Sequence, residues 1–184
     1  LLLGDQANVF NVDSTRAGVT ATVLGGSGND LFTVGATESG LNSSSLRRLD
    51  FLAGALTLDA RLGNDTVTLD DSGDDQINRG SFDGNAVTGL GITGSIALAP
   101  AEQTTIQLGA QSDTFYVASV AAGLDLTLKM GGGFDTAYVG TRFGAESAGT
   151  LDGIQGRFTL VGEGPDGGDA LFINDQSNPV GQSY

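Results

Sequence analysis

Hydrophobic and polar residues alternate in short runs along this chain. VTATVL (19–24) and LDLTLKM (124–130) place every second side chain on one face, which is the period of a strand with one buried and one wet side. Similar runs are NVFNV (8–12), DLFTV (30–34), ALTL (55–58), DTVTL (65–69), TTIQL (104–108), DTFYV (113–117), DTAYV (135–139), RFTLV (157–161) and ALFI (170–173). They are rich in Thr, Val, Leu, Phe and Tyr, residues that suit a pleated surface. A helical period shows only briefly, in SSSLRRLDFL (43–52), and its counterpart SAGTLDGIQG (147–156) is Gly-rich. Both are read as loop or a single turn. The longest polar stretch, LDDSGDDQINRGSFDG (69–84), is predicted to protrude as a loop. The pattern predicts an all-β protein.

The runs recur. Val19–Gly35 can be laid on Leu124–Gly140 at an offset of 105, where Gly18, Thr22, Gly26, Gly28, Asp30, Val34 and Gly35 meet Gly123, Thr127, Gly131, Gly133, Asp135, Val139 and Gly140. LGDQANVFNV (3–12) meets LGAQSDTFYV (108–117) at the same offset. Further on, Leu49, Asp50, Gly54, Thr57 and Leu58 meet Leu151, Asp152, Gly156, Thr159 and Leu160 at offset 102, and Gly63 and Asp65 meet Gly167 and Asp169 at offset 104. Within each copy, similar segments return after about 22 residues, as from Asn8 to Asp30 and from Asp113 to Asp135. Repeats of this kind mark stacked architectures, in which neighbouring units share one core. The expected fold is a β-solenoid, of the parallel β-helix or β-roll kind, built from two imperfect copies over 1–105 and 106–184 in one continuous stack. Tandem β-sandwiches are the alternative.

With 39% hydrophobic residues the chain can build a core. Its net charge of −14 repels phosphate backbones and argues against a nucleic-acid partner. The acid is 18 Asp against 4 Glu, a bias toward turns, where a short carboxylate can bond nearby N–H groups or a cation. With no Cys and no His, disulfides, thiolate metal sites and Ser-His or Cys-His nucleophiles are excluded. There is no apolar run of about 18 residues, so no membrane span is expected. The chain opens on LLL without an initiator Met and reads as a portion of something longer.

The chemistry-bearing segment is GGSGNDLFT, with Gly25, Gly26, Gly28 and Asp30 fitting the pattern GGxGxDxUx and Phe32 at the apolar position. It resembles the calcium-binding turns of the repeats-in-toxin family. Gly131, Gly133 and Asp135 keep three key positions, shortened versions recur around Asp65 and Asp169, and Asp113 stands at the equivalent place without the glycine pair. More broadly, the chain looks like the long, repetitive extracellular β-proteins of bacteria. The resemblance implies secretion and a structural or adhesive role, with calcium as cofactor held by Gly25, Gly26, Gly28, Asp30, Asp65, Asp113, Asp135 and Asp169. The simpler reading of Gly-Asn-Asp is turn chemistry, with the carboxylate accepting backbone N–H groups. Asp70, Asp71, Asp74 and Asp75 fit no EF-hand spacing and read as a solvated loop. The Thr-x-Thr pairs Thr20–Thr22 and Thr66–Thr68 share no fixed period and read as half-exposed strand.

These features predict a non-enzymatic structural segment of a secreted or cell-surface protein, an adhesin stalk or a filament subunit. Its expected partners are itself or further repeats, end to end. A calcium-dependent module binding a surface glycan or protein is the second expectation. A β-helix polysaccharide lyase is the third; it would draw on residues such as Asp135, Arg142 and Lys129, but no segment signals the paired carboxylates a glycosidase needs.

Overall fold

A computed structural model describes residues 1–37, 46–99, 101–162 and 168–178. The described residues are all-β, with no α-helix among them. The strands are β1 (Val9–Val12), β2 (Ala21–Leu24), β3 (Leu31–Val34), β4 (Ala36–Thr37), β5 (Arg47–Arg48) and β6 (Leu56–Asp59). They continue with β7 (Thr66–Asp70), β8 (Arg79–Phe82), β9 (Ala86–Gly89), β10 (Ile92–Ala99) and β11 (Gln103–Gln107). The last five are β12 (Thr114–Val117), β13 (Asp125–Lys129), β14 (Thr136–Val139), β15 (Arg157–Val161) and β16 (Ala170–Ile173).

One sheet has the order β1-β3-β7-β11-β13-β15, and all its pairs are parallel. The other has the order β16-β14-β12-β8-β9-β10-β6-β2. It is parallel except for β9, which runs antiparallel to both β8 and β10. Strands consecutive in the chain therefore fall, for the most part, in different sheets. The short β4 and β5 pair with each other.

Register aligns like with like. Phe10, Phe32, Val67, Thr104, Leu126 and Phe158 form one inward row of the first sheet. Val12, Val34, Leu69, Ile106, Leu128 and Leu160 form the next. Phe32, Leu69, Ile106 and Leu128 are fully buried, and each such side chain contributes about 1.5–3 kcal/mol. Between these rows runs an outward one of Asn11, Thr33, Thr68, Thr105, Thr127 and Thr159. Of the Thr-x-Thr pairs only Thr68 lies in this row; Thr22 pairs with Thr57 in the other sheet.

Five strands, β4, β5, β8, β9 and β10, went unseen in the sequence. The segment 69–84 is not a protruding loop: it ends β7, buries Asp71 and Asp74, and forms β8. β8, β9 and β10 carry Gly80, Gly89 and Gly94, which interrupt the alternation. Gly80 is demanded by the core, since a Cβ there would stand 2.7 Å from both Leu90 and Phe115. Of the brief helical pattern at 43–52, residues 43–45 lie outside the described residues. Arg47 and Arg48 are strand, while the counterpart segment holds a 3₁₀ turn at Leu151–Gly153.

Residues that match across the offset make matching contacts. The Leu49 N–H donates to Asp71 Oδ1 at 2.8 Å, and the Leu151 N–H donates to Asp175 Oδ1 at 2.9 Å. Yet matched strands lie on opposite sheets: β1, β2 and β3 correspond to β12, β13 and β14, and each member of a pair is in the other sheet. The strand–turn unit is therefore indifferent to which sheet receives it.

Candidate functional site: rows of carboxylates at the strand entries

Asp30, Asp65, Asp113, Asp135 and Asp169 each stand immediately before a strand, at the entries of β3, β7, β12, β14 and β16. At such a point the entry residue's carbonyl accepts from the next strand of its sheet. Thr66 N–H donates to Asp30 O at 2.9 Å, and Thr136 N–H donates to Asp113 O at 2.9 Å. The entry residue's own N–H lies beyond the ladder and needs another acceptor.

The neighbouring carboxylate supplies it. In the first sheet Asn8 N–H donates to Asp30 Oδ1 (2.8 Å), Asp30 N–H to Asp65 Oδ1 (2.7 Å), and Asp65 N–H to Glu102 Oε2 (2.7 Å). In the second sheet Asn78 N–H donates to Asp113 Oδ1 (2.7 Å), Asp113 N–H to Asp135 Oδ1 (2.6 Å), and Asp135 N–H to Asp169 Oδ1 (3.2 Å). Each sheet thus carries one row in which every side chain holds the backbone of its neighbour. Bonds from N–H to a carboxylate are among the stronger hydrogen bonds in proteins. The structure joins all five predicted aspartates to these rows, three in one and two in the other. Gly167 lies outside the described residues.

The second carboxylate oxygen divides the aspartates into two kinds. Asp30 Oδ2 accepts from Gly26 N–H, and Asp113 Oδ2 accepts from Gly109 N–H, each at 3.2 Å and each four residues back. Asp65 Oδ2 and Asp135 Oδ2 are buried without a partner. The residue four back from these two, Arg61 or Gly131, has positive φ (73° and 79°). Neither its N–H nor any other donor reaches Oδ2.

Electrostatics follow from this burial. Desolvation pushes Asp65, Asp113 and Asp135 above the usual carboxylate range, with Asp135 reaching about 7. For Asp65 the neighbours Glu102 and Asp30 add to the rise, and for Asp135 the neighbours Asp113 and Asp169 do.

The predicted glycines serve proximity rather than unusual dihedrals. Gly25, Gly26 and Gly28 all lack positive φ. A Cβ on Gly26 would stand 2.0 Å from the Gly4 carbonyl oxygen, and one on Gly28 would stand 2.3 Å from the Gln6 backbone. At Gly25 it would meet Ala60 O at 2.4 Å and Asp30 Oδ2 at 2.7 Å. Each turn presses on the backbone of the turn beside it.

These donors suit calcium unevenly. The ion takes about 6–8 oxygens. Asp30 and Asp113 have both oxygens on N–H donors, so a cation there would displace hydrogen bonds. Asp65 and Asp135 each keep one oxygen for it. Among the described residues no three acidic side chains gather as a metal cage.

Sequence reasoning missed Asn8 and Asn78 as donors that start the rows, and Glu102 as the acceptor that ends one. A detectable signal was there: each is a polar residue directly before a strand. Asn78 was hidden with β8, and Glu102 by its lack of a glycine turn. Among the described residues, no helix is long and apolar enough to cross a membrane. No family model, no curated protein and no solved structure matches the chain.

Proposed function

We propose that this chain is a structural segment of a secreted or cell-surface bacterial protein: a β-solenoid piece of a stalk or filament, built from two imperfect copies offset by about 105 residues. The observation that carries the reading is the pair of carboxylate rows. Side chains able to do acid–base chemistry are spent on fastening one strand entry to the next. Continuation end to end, with further repeats or another copy, is supported by the outermost strands. Val9 on β1 is 72% exposed, and Leu171, Phe172 and Ile173 on β16 are 45%, 50% and 63% exposed. Unpaired apolar edges are templates for further strands. Electron microscopy of the native material tests the proposal. Rods or filaments are expected, and isolated compact particles that bind a specific glycan would replace it with a binding module.

Calcium stabilisation is a second reading, favoured by the unpartnered oxygens of Asp65 and Asp135. Loosely held extracellular calcium binds at roughly 10⁻⁴–10⁻³ M. Thermal unfolding with millimolar calcium, against chelator at low salt, decides it: a raised midpoint supports the ion, and an unchanged one removes it.

A further inference from the structure

Asp71 stands apart from both rows. Its side chain is fully buried at the end of β7. Its Oδ1 accepts the Leu49 N–H at 2.8 Å, and its Oδ2 is buried with no partner. Leu49 and Leu52 are likewise buried, with Leu52 N–H bonded to Leu49 O at 2.9 Å. One carboxylate oxygen thus anchors the segment that carries two core leucines.

The charged groups around Asp71 do not favour an anion. Asp74, Asp50 and Asp113 all act on it with the same sign. The cation beside them, Arg48, pairs with Asp74 at 3.4 Å, Asp75 at 3.2 Å and Asp50 at 3.9 Å. Asp74 also accepts from the Gln76 N–H and the Asn78 side chain. A buried carboxylate with one N–H donor and three acidic neighbours has little to offset its desolvation.

We propose that Asp71 is a proton-held latch: as a neutral acid it fastens the Leu49 segment to the core, and its ionisation in alkali loosens that segment. The geometry and the direction of titration agree. Desolvation, with the Asp74, Asp50 and Asp113 charges behind it, pushes Asp71 up to about 8. An unfolded Asp titrates near 3.9, so the folded state alone keeps the proton in between. The stabilisation is whole below about pH 4 and is lost progressively as pH rises to about 8.

Two measurements test the latch. The carboxyl carbon of Asp71, followed by NMR in the intact protein, is expected to titrate near pH 8; a midpoint near 4 would overturn the proposal. In Asp71→Asn the amide oxygen keeps the Leu49 bond without a charge. Between about pH 5 and 8 the wild-type folding constant is expected to fall by an extra factor of about ten per pH unit relative to this variant, with matching loss of protection at the Leu49 amide. Parallel pH profiles for the two proteins would also overturn it. Should the variant fail to fold, the NMR titration decides alone.

Discussion

The turns before β3 and β12 and the turns before β7 and β14 perform the same task with different completeness. At Asp30 and Asp113 both carboxylate oxygens are used, one on the adjacent strand entry and one on the turn's own Gly26 or Gly109 N–H. At Asp65 and Asp135 only the inter-strand bond remains, and the second oxygen is buried bare. The difference traces to one backbone angle four residues upstream, where Arg61 and Gly131 turn with positive φ. The inter-strand bond is thus the feature common to these four turns, and the closure within the turn is optional. The comparison also shows that the sheet does not set the type, because each sheet holds one aspartate of each kind.

Alanine in place of the two-point aspartates should give the largest effect. Asp30→Ala and Asp113→Ala each strand two backbone N–H groups, and should cost about 3–5 kcal/mol in urea unfolding. Asp65→Ala and Asp135→Ala strand one and remove a poorly solvated acid, so about 1–2 kcal/mol is expected. Equal losses across the four would break the distinction.

Gly26→Ala probes the space beneath the same turns. Its Cβ would meet a neighbouring carbonyl at 2.0 Å, and overpacking of this kind costs about 1–3 kcal/mol. Gly132→Ala is the control, since its nearest neighbour would lie at 3.6 Å. It should lose less than about 1 kcal/mol. Matched melting temperatures for the two variants would show that backbone proximity is not why Gly26 is there.

The strands around Phe32, Val67 and Leu126 were legible because each alternates cleanly and is bounded by Gly and Asp. The aspartates were legible as a set, since the 105-residue offset keeps Asp30 with Asp135. Their chemistry was not. Sequence spacing leaves a cation and a backbone N–H equally suited to a carboxylate, and only the placement of Asn8, Asp30 and Asp65 on adjacent strands shows which atoms meet. β8 to β10 were lost to glycines such as Gly80, which the core requires but which carry no hydrophobic signal. Asp71 was misread as solvated because charge in a sequence says nothing of burial. What buries it is the return of the Leu49 segment, which passes through residues of little pattern.

The smallest change sharpens the comparison most. Asparagine keeps one acceptor oxygen and replaces the other with a donor. At Asp30 that donor would face the Gly26 N–H, so Asp30→Asn should lose about 1–2 kcal/mol. At Asp135 it would occupy the unpartnered Oδ2 position, and the bond from Asp113 N–H survives on the oxygen. Burial, chiefly, pushes Asp135 up to about 7, while the unfolded chain titrates near 3.9. The folded state therefore holds a proton that the unfolded state has released, and stability declines as pH rises from about 4 to 7. Asp135→Asn has no proton to lose. It should match the wild type within about 0.5 kcal/mol at pH 4, then become the more stable protein as pH rises toward 7. A crossing of the two stability curves in that window is the expected result. A wild type that stays ahead at pH 8 would mean that Asp135 is anionic and its second oxygen is satisfied, which would erase the difference between the two kinds of turn.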